Sequence, residues 1–508
     1  MRPLIVAVLS LLPLLASAQH QHHAGGAKLL DGLGSHRFTI TTTNPQAQRF
    51  FNQGLALAYA FNHPEARRSF DEAVRLDPSC AMCHWGVAFV LGPNINAPMD
   101  PAVNGEAYAA SRRARGLAPK VTPKERALIE ALAHRYAEQP PENRARLDSA
   151  FAQGMRDVAE QFPEDDDVAA IYAESMMDLS PWVFWTKDKK PLPGTTQIVE
   201  TLEEVGARNP NHPGACHLYI HAVEAAFPER AVACAERLAA LMPSAGHIVH
   251  MPAHIYLRVG RYDDAIRANE HAVHADETYI ADRREQTFYT IAYYPHNYHF
   301  LAFAAIMAGR PARALEAARA AASKIPLDVA VTAPDLQLIV AYPHLTLAMF
   351  GRVDEVLREP MPRSDLRVAT GLAWYARGMS FAASRRMNDA RAALDSVRAT
   401  SVEIASYPGD PVLRIAERVL AGEISLRSGN TADAITLLTE AKEIEDGLTY
   451  MEPPYWHQPV RHLLGAALLA ANRRAEAQQL YREDLARFPR NVWSEQGLRR
   501  SMAAQKKR

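Results

Sequence analysis

The sequence predicts an all-α protein built as a solenoid of stacked helix hairpins, and two observations carry that expectation. Ala, Leu, Arg and Glu dominate a chain that is 48% hydrophobic, and its aromatic and β-branched residues do not gather in the alternating runs of half-buried strands. A short turn also recurs: Gly260-Arg261 with Ala265, Gly309-Arg310 with Ala314, Gly351-Arg352, Asn388-Asp389-Ala390, Gly429 with Ala434, and Asn472 with Ala477. Small residues at such points let two antiparallel helices approach closely. Each hairpin then leaves an apolar face that only its neighbours can cover, so hairpins stack into a curved array with a concave groove.

In chain order, residues 1–18 read as an export signal. Arg2 is the basic start, Leu4 to Leu15 the apolar stretch, and Ala16-Ser17-Ala18 a small-residue cleavage site. No cysteine follows the cleavage site to take a lipid, and no later segment has the length of a transmembrane helix, so a periplasmic or secreted protein is expected. Residues 19–45 form a flexible segment that begins Gln19-His20-Gln21-His22-His23. A free amine beside these imidazoles would bind copper or zinc loosely, and a tail with no role is the alternative. Repeats are expected over 46–100. Over 101–208 the repeat signal fades into helices at 123–136 and 144–161, followed by a loop over 180–194. That loop carries Trp182, Phe184 and Trp185, which could fold over the groove or simply pack on the surface. Residues 209–330 form His-rich repeats and 331–508 a C-terminal set.

The residues within these units resemble the tetratricopeptide repeat. Phe50-Phe51-Asn52-Gln53-Gly54 leads to Ala66, Phe70, Ala73 and Asp77-Pro78, and Gly260-Arg261-Tyr262-Asp263-Asp264-Ala265 is close to the family's inter-helix turn, with Ala272 seven residues on. Ala231, with Pro243 behind it, lies one repeat before Ala265, and the last unit closes at Phe488-Pro489. The resemblance covers roughly two thirds of the chain and implies a right-handed superhelix. Cys80-Ala81-Met82-Cys83 with Trp85-Gly86, His217-Leu218-Tyr219-Ile220-His221, Met251-Pro252-Ala253-His254 and Pro295-His296-Asn297 further resemble an exported bacterial lineage of such proteins. For function the resemblance implies only a scaffold for a peptide, protein or small-molecule ligand in the groove.

Composition excludes some classes. With 56 basic and 57 acidic residues, no bulk positive charge is available to hold a nucleic acid. Gly-rich phosphate loops and a Gly-x-Ser-x-Gly elbow are both missing from the sequence.

Histidine is the informative residue. Ten of the twenty histidines fall between His212 and His299. His217, His221 and Glu224 stand at i, i+4 and i+7 on one helical face, His247, His250 and His254 at i, i+3 and i+7, and His296 and His299 at i, i+3. Imidazole is the commonest protein ligand for transition metals, and two histidines one turn apart chelate one ion from one helix. The set His217, His221, His247, His250, His254, His296, His299 and Glu224 therefore predicts a metal site for zinc, copper or iron on three successive first helices. Glu270 and Asp276 are further carboxylates within reach. His-Glu-x-x-His is absent, so the general base of the zinc-protease helix is missing. Pro252 and Pro295 would open helices; if a helix begins at Pro252, His247 and His250 fall in the loop before it.

Two other constellations need weighing. Cys80-Ala81-Met82-Cys83-His84 has the form of a c-type haem attachment site, with packing cysteines and a redox or metal-binding pair as alternatives. Cys216 and Cys234 could bridge the two helices of one hairpin. The aromatic stretches Tyr293–Phe300 and Tyr450–His457 could line a pocket, the second meeting the first only if the array curls back. The sequence thus supports a metal-binding scaffold, with catalysis open, or a metal-free binding scaffold.

Overall fold

A computed structural model describes residues 27–283, 286–404 and 409–503; the export segment 1–18 and the His20, His22, His23 cluster lie outside the described residues. The fold is all-α, a succession of tetratricopeptide-like helix hairpins. The only β contacts among the described residues are isolated bridges, Asn94 with Ala97 and Trp185 with Pro191. No helix among them is long and apolar enough to cross a membrane.

One local device builds the hairpins. The first helix ends on a residue with positive φ, and the next N–H reaches back five residues, as Arg261 N to Tyr256 O (2.7 Å), Arg310 N to Ala305 O (2.8 Å) and Arg473 N to Leu468 O (2.8 Å). This bond satisfies a carbonyl left over at the helix end and reverses the chain. Gly260 (φ 73°) takes the left-handed position without cost, and a Cβ there would also lie 2.3 Å from the Pro489 carbonyl. Asn472 (φ 59°) and Arg385 (φ 60°) take the same position in their hairpins. Five residues after such turns stands a fully buried side chain, Ala66, Ala265, Ala314, Ala390, Ala434 or Ala477, with Val356 in that place after Gly351. The Asn388 turn is therefore corrected: the chain reverses at Arg385, and Asn388 lies inside the helix Met387–Glu403.

The chain forms two compact units. The N-terminal unit holds the described residues up to Ile255 together with His271–Thr290. Its paired helices include Pro45–Tyr59 with His63–Leu76, Pro123–Ala133 with Ala145–Gln161, Asp166–Met177 with Thr195–Arg208, and Pro213–Val223 with Val232–Leu241. Thr122 and Glu125 cap the start of Pro123–Ala133 reciprocally. The extended segment before Pro45 is tied down by Gln53, which accepts from Leu30 N and donates to Lys28 O. The second unit holds Tyr256–Glu270 and the residues from Ile291 onward. Within it the last helices return to the first: Arg490 donates to Val259 O and the Trp493 indole to Ile306 O. The Tyr450–His457 stretch lies against Arg258 and Tyr375 of this unit, which places it by the unit's beginning.

Candidate metal centre

In the N-terminal unit, the helix Pro213–Val223 starts at a proline in its first turn with His212 as its cap. Cys216 ties it by a disulfide to Cys234 on the partner helix Val232–Leu241. His217 and His221 project from the same side of this helix. The next first helix is interrupted. Pro252 has no N–H to give Ile248, so the α-helix Gly246–His250 ends and Pro252–Arg258 begins. Met251 N to His247 O, a last α-helical bond, and His254 N to Met251 O, a tight i, i+3 turn, both 3.1 Å, carry the chain across. His247 and His250 thus sit on a short helix rather than in a loop, and all three histidines of the segment keep company with His217 and His221.

The five rings are packed together and buried, none more than 2% exposed. They do not line an open groove, which corrects the sequence expectation. Phe61 at its positive-φ turn lays its ring 4.4 Å from His217 and 5.7 Å from His247, and Trp182 from the loop meets His221 edge-on at 5.0 Å. These two side chains and the packed helices exclude water.

Hydrogen bonds fix which nitrogen carries each proton. His217 Nδ1 lies 2.7 Å from the Tyr59 carbonyl, which can only accept, so Nδ1 is protonated and Nε2 keeps its lone pair. Glu224 is 0% exposed and spans two helices, its Oε1 2.9 Å from His221 Nδ1 and its Oε2 2.6 Å from His254 Nδ1. Burial opposes its charge, but His254 and His221 outweigh that and hold the carboxyl at about 2. As an anion it accepts both protons, so His221 and His254 also turn lone-pair Nε2 atoms inward. Nε2 of His217 and of His221 is buried without a hydrogen-bond partner. Burial, and then neighbouring imidazoles, push His217 and His247 well below the usual histidine range, which keeps them neutral, as ligation requires. Ligand nitrogens of His217, His221 and His247 lie within 4.8 Å of one another.

Glu224 therefore orients ligands rather than presenting a free carboxylate, the role an outer-shell group plays around metal-binding histidines. Behind His247, its backbone N–H donates to the Tyr289 hydroxyl (3.0 Å), which donates to Asp276 (2.7 Å). A Cβ on Gly246 would stand 1.9 Å from that carboxylate, so glycine is required there. Glu270 is taken up in an ion pair with Arg313. His296 and His299 lie on the helix Tyr294–Met307 of the other unit, with Pro295 in its first turn. There His296 packs on Phe300, and His299, which burial lowers to about 3, packs on Tyr342. Trp182 comes from the loop whose aromatic residues were expected either to cover the groove or to pack on the surface, whereas Tyr59, Phe61 and Tyr289 were not legible as site residues, since a backbone carbonyl or a covering ring leaves no spacing signal.

The Cys80-x-x-Cys83-His84 motif takes another form. Cys80 and Cys83 are bonded to each other and buried, and a sulfur in a disulfide forms no thioether to haem. The His84 ring bonds the Pro78 carbonyl at 3.1 Å. A separate histidine cluster joins His36, Asp167 and His212. Asp167 Oδ1 receives the Tyr59 hydroxyl at 2.7 Å and lies 2.8 Å from His36 Nε2 and 3.4 Å from His212 Nε2.

No family model matches the chain, and no curated protein matches it. Among solved structures it is similar to human IFIT1 dimer with m7Gppp-AAAA, at 13% identity over 92% of this chain and 91% of that one, TM-score 0.35. It is also similar to yeast Tom70, at 14% identity over 92% and 90% of the two chains with TM-score 0.31. The APC/C hetero-tetramer Cut9-Hcn1 gives 13% identity, 91% and 78% coverage, and TM-score 0.31. Likeness of this degree speaks to neither partner nor activity.

Proposed function

We propose that the chain is a metal-binding helical scaffold whose N-terminal unit holds a transition-metal ion on His217, His221 and His247. One observation carries the reading: a buried carboxylate and a backbone carbonyl take the Nδ1 protons of His221 and His217, while the Nε2 atoms of both rings are buried without hydrogen-bond partners. Leaving such atoms unmatched costs about 1–3 kcal/mol each, which a bound cation would repay. An all-imidazole set suits zinc, copper or iron and disfavours magnesium and calcium, which prefer oxygen. Export is part of the same proposal. The disulfides Cys80–Cys83 and Cys216–Cys234 are bonds of an oxidising compartment and support the reading of residues 1–18 as a signal.

A ligand-binding role is a second reading, favoured by a cavity of about 800 Å³ in the same unit, lined by Leu30, Leu57, Val249, His271, Asp276 and Tyr279 among others. It would take a peptide segment or small molecule, and it does not compete with a metal.

Elemental analysis of dialysed full-length protein tests the metal reading. Stoichiometric zinc, copper or iron, removable by chelator and restored by the metal salt alone, is expected. A protein that neither carries nor takes up any of the three ends it.

A further inference from the structure

Three imidazoles suffice for the site above, yet five are gathered there. Their centroids run in a closed circuit: His217–His221 4.9 Å, His221–His254 5.4 Å, His254–His250 4.8 Å, His250–His247 5.9 Å and His247–His217 4.9 Å. The pair outside the first group is already at a chelating distance. Metal–imidazole bonds are about 2.0–2.1 Å, so two imidazoles cis on one ion hold their nitrogens roughly 2.9–3.4 Å apart. His250 Nε2 and His254 Nε2 are 2.9 Å apart. Because Glu224 takes the Nδ1 proton of His254, the 2.9 Å contact between the two Nε2 atoms is bridged by a single proton. A cation would replace that one proton.

We infer that His250 and His254 hold a second transition-metal ion beside the first, making the centre dinuclear, with Glu224 bracing one ligand of each ion. This rests on the reading of the first site. The carboxylate geometry is what ties the two ions together. Oε1 orients His221 of the first group and Oε2 orients His254 of the second, so one rigid anion sets the spacing between them. Two divalent ions would bring four positive charges beside this single carboxylate. The pair would therefore draw an anion from solvent, the smallest being hydroxide formed from a bound water whose proton leaves to bulk.

The test uses full-length protein stripped by chelator and refilled with Zn²⁺ alone. Two ions per chain are expected in the wild type, falling to one in His250→Ala and to one in His217→Ala, with helical content by circular dichroism unchanged. His250→Gln, closer in size, guards against a folding defect and should also bind one. A single ion in the wild type overturns the second site and leaves the first standing, whereas no ion removes both. Two ions that persist in both His250 variants place the second elsewhere and overturn the inference. Cu²⁺ provides a check that needs no variant: spectroscopic signal per copper in electron paramagnetic resonance should drop between one and two equivalents through coupling of adjacent ions. A constant signal per copper refutes adjacency.

Discussion

Two histidine clusters in the N-terminal unit look alike and are wired in opposite ways. His221 and His254 flank Glu224, with His217 beside His221, while His36 and His212 flank Asp167, and ligand atoms within each group approach within 4.8 Å. The difference lies in what Nδ1 meets. In the first cluster Nδ1 donates to Tyr59 O or to Glu224, so Nε2 keeps its lone pair. In the second, His212 caps its helix, and its Nδ1 accepts from Ala215 N–H at 3.1 Å. A backbone N–H can only donate, so the proton of His212 sits on Nε2, 3.4 Å from Asp167 Oδ1 and without a hydrogen-bond partner there. Asp167 instead takes hydrogen bonds from the Tyr59 hydroxyl and His36, which tie the segment before Pro45 to the helices. Histidine plus carboxylate thus presents bare ring nitrogens in one place and a protonated one in the other, and the partner of one ring nitrogen decides which.

The largest effect should come from exchanging single histidines between the two clusters. His221→Ala should weaken binding of the first ion by more than about 100-fold, beyond the range of an outer-shell change, while His212→Ala leaves metal content as in the wild type. Chelator competition measures both, and equal losses would erase the distinction. The carboxylates come next. Glu224→Gln keeps the shape but frees two rings to turn, so affinity should fall by about 10–100-fold. Asp167→Asn should leave affinity alone and lower stability by about 1.5–3 kcal/mol, the worth of hydrogen bonds to a charged group. Urea denaturation with an unchanged midpoint would show that the Asp167 clasp does not hold.

The smallest effect is one of pH. Burial raises the Asp167 carboxyl, but His212 and His36 outweigh it and hold the group well below the usual carboxylate range. A depressed folded value stabilises the fold above the unfolded pKa of about 3.9 and loses that stabilisation as pH falls through the folded value. The stability gap between wild type and Asp167→Asn should therefore be full at neutral pH and shrink below about pH 4. A gap that widens on acidification would reverse the sign and count against the clasp.

The repeat architecture was legible because its rules are local. A left-handed turn, a small residue five positions on and an apolar face each leave a mark at fixed spacing, as around Gly260 and Ala265. Where a mark was misplaced, at Asn388, the reason is that arginine can occupy a left-handed turn when packing on either side holds it there. The histidine pairs were visible for the same reason, since i, i+4 on a helix is a sequence property. Pro252 was visible as an interruption, but not its outcome: an α-helical bond and one i, i+3 turn carry the chain past it and keep His254 beside His250.

What the sequence by itself determined is therefore the class of fold and the helical faces on which imidazoles stand. Tertiary structure alone decided which of them turn bare nitrogens toward one another. That choice rests on Tyr59 O reaching His217 across 158 positions of chain, on Glu224 reaching His254 across 30, and on Phe61 and Trp182 closing over the rings. Spacing within a helix fixes where a ring projects, whereas its proton is placed by whichever donor or acceptor packing brings to its other nitrogen, and that partner comes from elsewhere in the chain.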